Sequence, residues 1–178
     1  MTELAREYGD GLYALTEEEN ISKEVLEQLI TLKNLFREQP DFIRLLGNMS
    51  LSKQERVQII DQVLRSQVHP YLLNFLKILC ERNALNEYEG CLSAFKTLYN
   101  QAHGIVEAMV TTAVALDDEQ RARMMEKLSA MTGKTVVLNE KVDASLVGGV
   151  LLEMNGQRYD NTLKNRLKSI HSAMVQGA

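Results

Sequence analysis

Residues 142–156 of the chain read VDASLVGGVLLEMNG, and this run decides the fold of the C-terminal part. A short polar stretch leads into two glycines, an apolar strand and the dipeptide Asn155-Gly156. Asn-Gly between strand-forming residues is a strong signal for a two-residue β-hairpin turn. Gly148 and Gly149 lack the third glycine and the following helix of a phosphate-binding loop, so we interpret them as a bulge or a close approach of strands. Nothing in the run suggests acid–base, nucleophilic or metal chemistry.

The sequence around this hairpin predicts a small α/β unit. Residues 105–116 alternate between apolar and polar side chains, which is the period of a half-buried strand. Asp117 begins an amphipathic helix that Gly133 ends. Residues 135–138 and 147–154 predict two further strands. A last helix, capped by Asp160-Asn161-Thr162, is expected to carry its apolar face on Leu163, Leu167, Ile170 and Met174.

The first hundred residues predict six helices joined by short connections. Their apolar residues recur every three or four positions, as on one face of a helix. Ser52 and Glu55 form a capping box, and Pro70 suits the first position of a helix. The predicted helices lie near residues 2–15, 22–39, 41–46, 52–64, 70–81 and 85–102.

The change of period at His103-Gly104 predicts two domains. Short connections favour antiparallel packing, so residues 1–104 are expected to form a six-helix bundle. Residues 105–178 are expected to form a small α/β domain with a mixed sheet. The predicted fold class is therefore α+β.

Composition excludes several classes of protein. The net charge of −4 on 178 residues argues against a nucleic-acid binder, which usually has a basic excess. No apolar stretch approaches the roughly 20 residues that span a bilayer, so any membrane association is expected through partners. The N-terminus resembles neither a signal peptide nor a transit peptide. Cys80 and Cys91 are expected to be reduced thiols in the core.

Gly133-Lys134-Thr135 is similar to the end of a phosphate-binding P-loop, but the full motif is missing. That motif needs a glycine five residues before Gly133, where Leu128 stands. The order is also inverted, since these residues follow a helix and precede a strand. The three histidines have no metal-ligand spacing. We therefore expect no catalytic residues, no cofactor and no metal site.

The fifth predicted helix, residues 70–81, is more apolar than a surface helix needs to be. Its apolar side chains span an arc of roughly 220°, whereas about 100° is enough for a surface helix. One interpretation is a central helix buried all round. The other is a helix with one edge in the core and one edge lining a groove for a partner helix. The candidate groove residues are Leu72, Leu73, Leu76 and Leu79, together with Tyr8 and Leu12 of the first helix.

Several segments, in order along nearly the whole chain, match motifs of one known family. The segments are residues 8–15 (YGDGLYAL), 74–83 (NFLKILCERN), 107–113 (EAMVTTA), 132–134 (TGK) and 142–149 (VDASLVGG). They resemble the delta subunit of bacterial F-type ATP synthases, the counterpart of the mitochondrial oligomycin-sensitivity-conferring protein. Gly9 and Gly11 stand where that family usually has alanine, and Ala84-Leu85 stands where it has Arg-Leu.

The resemblance implies a non-catalytic stator subunit of the peripheral stalk. In that family the helical domain binds the N-terminal helix of one α subunit between its first and fifth helices. The C-terminal domain binds the C-terminal ends of the b subunits. The connection keeps the catalytic head from turning with the rotor. The family residues of the groove would be Tyr8, Leu12, Leu72, Leu73, Leu76 and Leu79.

The resemblance also implies a location and leaves alternatives. Without a transit peptide, a bacterial protein on the cytoplasmic face of the plasma membrane is expected, held there by its partners. A small enzyme or ligand carrier would need convergent polar groups, which the sequence does not offer. A helical adaptor outside the synthase is the other alternative, and co-purification with the synthase head would distinguish the two.

Overall fold

The computed structural model describes residues 2–48 and 50–168. The chain divides between Tyr99 and Asn100 into two compact units, one helical and one containing a sheet. The class is α+β with a mixed four-stranded sheet, as predicted.

The helical unit is built from amphipathic helices, and Pro70 stands at the first position of a helix as predicted. Thr2 accepts a hydrogen bond from the Ala5 backbone N–H at the start of the first helix, and Ser52 forms the predicted capping box with Glu55. A 3₁₀ turn, Leu85–Glu87, stands where the sixth helix was predicted to begin. The helices are α1 Glu3–Glu18, α2 Ser22–Glu38, α3 Pro40–Leu46, α4 Lys53–Leu64, α5 Pro70–Glu81 and α6 Tyr88–Ala102.

The core of this unit is aliphatic, with aromatic rings from α6. Its largest fully buried side chains include Phe95, Leu29, Ile60 and Leu64. The Tyr88 hydroxyl donates to the Leu29 carbonyl oxygen at 2.8 Å, which ties α6 to α2. Because that hydroxyl is buried, its pKa is raised well above the usual range.

Arg56 of α4 is buried beside the ends of two other helices. Its Nη1 donates to the Leu46 carbonyl oxygen at 3.1 Å, at the last residue of α3. The same nitrogen donates to Asn83 Oδ1, just after α5. One guanidinium thus joins α3, α4 and the end of α5, and its hydrogen bonds offset part of the cost of burying a charge.

The second unit is a sheet of order β2-β1-β3-β4 with one long helix beside it. β1 pairs with β2 in parallel, β3 pairs with β1 and β4 antiparallel, and the helix α7 makes the crossover that a parallel pair requires. The first strand ends at Thr112 rather than at the predicted residue 116, and the second ends at Val142 rather than at residue 138. The elements are β1 Ile105–Thr112, α7 Asp118–Thr132, β2 Thr135–Val142, β3 Gly149–Met154 and β4 Gln157–Thr162.

The turns of this unit follow the predicted local chemistry. Gly133 ends α7 in the left-handed conformation, with φ 66°, and Asn155 and Gly156 both have positive φ in the hairpin turn. The interpretation of the glycine pair as a close strand approach is confirmed. A Cβ atom on Gly149 would lie 2.4 Å from the Asn161 carbonyl oxygen of β4.

The last predicted helix is described in part. Thr162 caps it by accepting from the Asn165 backbone N–H at 3.3 Å, while Asp160 and Asn161 belong to β4 rather than to a free cap. Residues 163–168 are helical. Ile170 and Met174 lie outside the described residues.

The two glycines of α1 give a matched test of the α1–α6 packing. A Cβ atom on Gly9 would lie 2.5 Å from the Cys91 carbonyl oxygen and 2.7 Å from Ala94 Cβ, so Gly9→Ala must push the helices apart. We expect it to lower the free energy of unfolding by about 1–3 kcal/mol. Gly11→Ala meets open space and should raise it by about 0.5–1 kcal/mol. Urea denaturation followed by circular dichroism measures both, and equal effects would contradict the packing.

Candidate functional site

Most of the predicted groove residues lie in the core of the helical unit. Leu12 on α1 and the four leucines on α5 are buried, and Leu76 is only 1% exposed. Tyr8 is half-buried. α1 and α5, the two helices that carry these residues, pack against each other.

One flank of α5 is covered by α4. Lys77 forms an ion pair with Asp61 of α4, and Asp61 also pairs with Arg65. The Lys77 ammonium is the main reason why the pKa of Asp61 lies below its usual value. Leu73 stands one turn before Lys77 on the same flank, and it is buried there.

The opposite flank of α5 is open and apolar. Ile78 is 43% exposed, and Tyr71, almost two turns earlier on the same flank, is half-buried. Since Ile78, Asn74 and Glu81 are all exposed, α5 is not buried all round. Ile78 belonged to the apolar arc predicted from the sequence. The sequence did not show which side of that arc is uncovered, whereas the Lys77–Asp61 pair places α4 on the flank away from Ile78.

α1 also has one covered flank and one apolar flank that is exposed. Gly9 lies against α6, and the ring of Tyr13 packs edge-on against Phe95 with centroids 5.5 Å apart. On the other flank, Leu4 and Leu15 are exposed, and Tyr8 lies between them. We call Leu4, Tyr8, Leu15 and Ile78 the α1/α5 edge. The helical spacing of Leu4, Leu15 and Ile78 is visible in the sequence, but none of the three was predicted to line the groove.

The sheet unit has a second exposed apolar surface. Val147 is 83% exposed in the loop before β3, and Val114 and Val142 are also exposed. They lie at one end of the sheet, because Thr112 at the end of β1 pairs with Val142 on one side and with Val150 on the other. We call these three valines the sheet-end patch. Asp143 accepts from the Ser145 backbone N–H at 2.9 Å, a bond that orders the loop. Hydrogen bonds from the side chain and then the backbone of Ser145 lower the pKa of Asp143.

The groups weighed for chemistry have local structural roles. Gly133 ends a helix, and the His69 side chain caps α5 by accepting from the Tyr71 backbone N–H. Burial raises the pKa of the Cys80 thiol, and it raises that of Cys91 to about 11, so both are poor nucleophiles. Across residues 2–48 and 50–168, no group of three His, Cys, Asp or Glu side chains is placed to hold a metal ion. None of the helices described is both long and apolar enough to cross a bilayer.

Comparison with known proteins identifies the family of the chain. A model of the family described as ATP synthase delta (OSCP) subunit matches residues 4–174. The ATP synthase subunit delta of Clostridium kluyveri is 28% identical over 174 residues, which cover 98% of this chain and 96% of that protein. The Clostridium botulinum subunit delta is 29% identical over 173 residues, 97% of each chain. A chain in the structure of the Toxoplasma gondii mitochondrial ATP synthase hexamer has the same fold, with TM-score 0.78, 17% identity and 98% coverage of both.

A helical unit and a small α/β unit, each with an exposed apolar surface, are typical of a protein that binds other proteins. The chain belongs to the ATP synthase delta (OSCP) subunit family. It is a non-catalytic stator subunit in the peripheral stalk of a membrane-associated ATP synthase.

Two substitutions on α5 distinguish its buried face from its open flank. Leu76→Glu places a charge in the core and should lower the free energy of unfolding by about 3 kcal/mol or more. Ile78→Glu places it on the open flank and should change that free energy by less than about 1 kcal/mol. Urea titration of both variants measures the difference. If Ile78→Glu unfolds the protein as readily as Leu76→Glu, the flank is covered.

Proposed function

We propose that this subunit joins the catalytic head of the synthase to its b subunits. Residues 1–104 act as one six-helix bundle that receives the N-terminal helix of one α subunit. Residues 105–178 hold the C-terminal ends of the b subunits. The subunit thus sits at the membrane only through its partners, on the cytoplasmic face of a bacterial plasma membrane, and it resists the torque of the rotor. The observation that carries the proposal is the α1/α5 edge.

The α1/α5 edge suits an amphipathic helix. Leu4, Tyr8 and Leu15 follow one line on α1, with spacings of four and seven residues, as expected for a surface that meets another helix. Ile78 offers the matching exposed apolar side chain on α5. Gly11 lies on the same side of α1, where a Cβ atom would meet no described atom within 4 Å, so a partner backbone can approach closely.

The predicted groove residues support this edge from below. Leu12 of α1 and Leu72 of α5 are buried in the core of the helical unit. In this arrangement they form the floor, and the exposed side chains form the walls. Burial of each large apolar side chain contributes roughly 1.5–3 kcal/mol before the costs of association, so a few suffice for stable binding.

The sheet-end patch is the surface we assign to the b subunits. Val114, Val142 and Val147 come from the ends of two neighbouring strands and from the loop before a third. The loop is held by the Asp143–Ser145 hydrogen bond and by Leu146, whose N–H donates to the Asp143 carbonyl oxygen at 3.1 Å. Val147 is therefore presented on an ordered turn, which lowers the entropy lost on binding.

Binding to a synthetic peptide of the α-subunit N-terminus tests the α1/α5 edge. Ile78→Glu and Leu15→Glu should each weaken the affinity at least about tenfold, because a charge would be buried without a partner. Val63→Glu is the control, since Val63 of α4 has the same exposed fraction as Ile78, 43%, away from the edge. Isothermal titration calorimetry measures the affinities. Equal affinities for all three folded variants would show that the α subunit binds elsewhere.

Binding to the C-terminal part of the b subunits tests the sheet-end patch. Val147→Glu should reduce the affinity about tenfold or more and leave folding unchanged, because the side chain is 83% exposed. The control is Val137→Glu, an exposed valine on the sheet face opposite α7. Co-sedimentation with a b-subunit fragment and melting of the free variant are the two measurements. A loss that Val137→Glu reproduces would argue against a specific site at the sheet end.

A further inference from the structure

A line of acidic side chains runs beside the apolar line of α1. Glu7 stands three positions after Leu4 of the α1/α5 edge. Glu18 stands in the same relation to Leu15. Three positions turn a helix by about 60°, so each carboxylate lies next to an exposed apolar side chain. Both glutamates are exposed, and we call them the acidic border.

The acidic border lies on the outer side of the apolar line. Ala5, one position after Leu4, is buried. Thr16, one position after Leu15, is buried as well. One position turns a helix by about 100°, in the opposite sense from three positions. The order around α1 is therefore buried face, apolar line and acidic border.

α5 shows the same order and runs in the opposite direction. Leu79, one position after Ile78, is buried, and Glu81, three positions after it, is exposed. The Thr2 hydroxyl, just before α1, donates to Glu87 Oε2 at 2.5 Å, and Glu87 comes six residues after α5. α1 thus begins near the end where α5 finishes. In such an antiparallel pair, the two apolar lines face one groove and the acids lie on its outer borders.

Of the two borders, the one on α1 is the more negative. Glu81 on α5 has the exposed Arg82 next to it, whereas α1 carries five acidic side chains and one basic one. In the described part of the helical unit, the ion pairs include neither Glu7 nor Glu18. The two carboxylates therefore remain available to cations from another protein.

We propose that the helix received at the α1/α5 edge carries basic side chains along one border of its apolar face and lies with that border against α1. This inference rests on the proposed binding of the α-subunit N-terminal helix to the edge. Glu7 and Glu18 are eleven residues apart, which is about three helical turns and roughly 16 Å. Two Lys or Arg residues at the same spacing on the partner helix can therefore face both carboxylates. Gly11 leaves space between the two contacts.

The acidic border selects and orients the partner more than it strengthens binding. An exposed ion pair contributes little, because water and salt screen it. A partner helix bound in the reverse direction would bring its basic border to α5, beside Arg82, and its other border to Glu7 and Glu18. Like charges at close range disfavour that pose, whereas opposite charges in the correct pose also speed the encounter.

Titration calorimetry of the full chain with a synthetic peptide of the α-subunit N-terminus tests the acidic border. Glu7→Gln with Glu18→Gln should weaken binding about threefold to tenfold at low ionic strength, because two ion pairs are lost. The control is Glu27→Gln with Glu38→Gln. These two glutamates are also eleven residues apart and exposed, but they lie on the side of α2 opposite the buried Val25. The control pair should bind as the unmodified chain does.

A charge reversal distinguishes direct pairing from a general effect of net charge. Glu7→Lys with Glu18→Lys should bind the peptide more weakly than the glutamine pair does. A second peptide, in which the basic residues beside the apolar face are changed to Glu, should bind this lysine variant more tightly than it binds the unmodified chain. Thermal melting of each variant shows that the exposed substitutions leave folding unchanged.

The outcomes separate this inference from the proposed function. A loss of affinity specific to the acidic border, smaller in about 500 mM salt and reversed by the second peptide, supports the inference. If the border variants bind like the unmodified chain while Ile78→Glu weakens binding, the edge receives the helix but the basic border is wrong. If neither change affects binding, the α subunit binds elsewhere and both proposals fail. Equal losses in the border and control pairs would assign the effect to net charge and overturn the inference.

Discussion

The packing of α5 against α4 is the contact on which the helical unit depends. α5 is apolar over more than half of its circumference. Burying the whole apolar arc would require neighbouring helices on both flanks. The Lys77–Asp61 pair commits one flank to α4. Both side chains are partly shielded from water, so the attraction is stronger than that of a surface pair. The other flank is left with Ile78 exposed, and the surface we assign to the α subunit follows from that choice.

An equivalent constraint acts in the sheet unit. A parallel pair of strands needs a crossover, and α7 supplies it between β1 and β2. One helix is about 10 Å wide and covers two strands of a sheet whose neighbours lie about 4.8 Å apart. Half of the apolar face, including Val150 and Leu152, therefore depends on some other element for cover. Among the described residues, both units thus expose apolar surface because few elements are available to cover it.

The sequence predicted those parts of the fold whose cause is local. The Ser52–Glu55 capping box, the left-handed Gly133 and the Asn155-Gly156 turn each depend on residues within a few positions of one another. The mixed sheet was predicted from the change, at His103-Gly104, from helical to alternating spacing of apolar residues. The open flank of α5 did not, because it depends on a pair between Lys77 and Asp61, sixteen positions apart in the chain. The sequence also did not predict that β4 extends to Thr162. Residues 160–162 are polar and were predicted to cap a helix, but the pairing of Asn161 with Val150 places them in the strand.

The hydrogen bonds of Arg56 have a mechanical consequence for a stator subunit, which is loaded in shear by the torque of the rotor. Leucine-to-leucine contacts between helices let one helix slide on another at small cost, because new contacts replace those that are lost. A directional hydrogen bond has no such substitute once it is stretched. Arg56 on α4 donates hydrogen bonds both to the Leu46 carbonyl oxygen and to Asn83. These bonds oppose sliding of α3 and of the end of α5 along α4. Stiffness against shear thus resides in a few buried polar contacts, while cohesion resides in the apolar core.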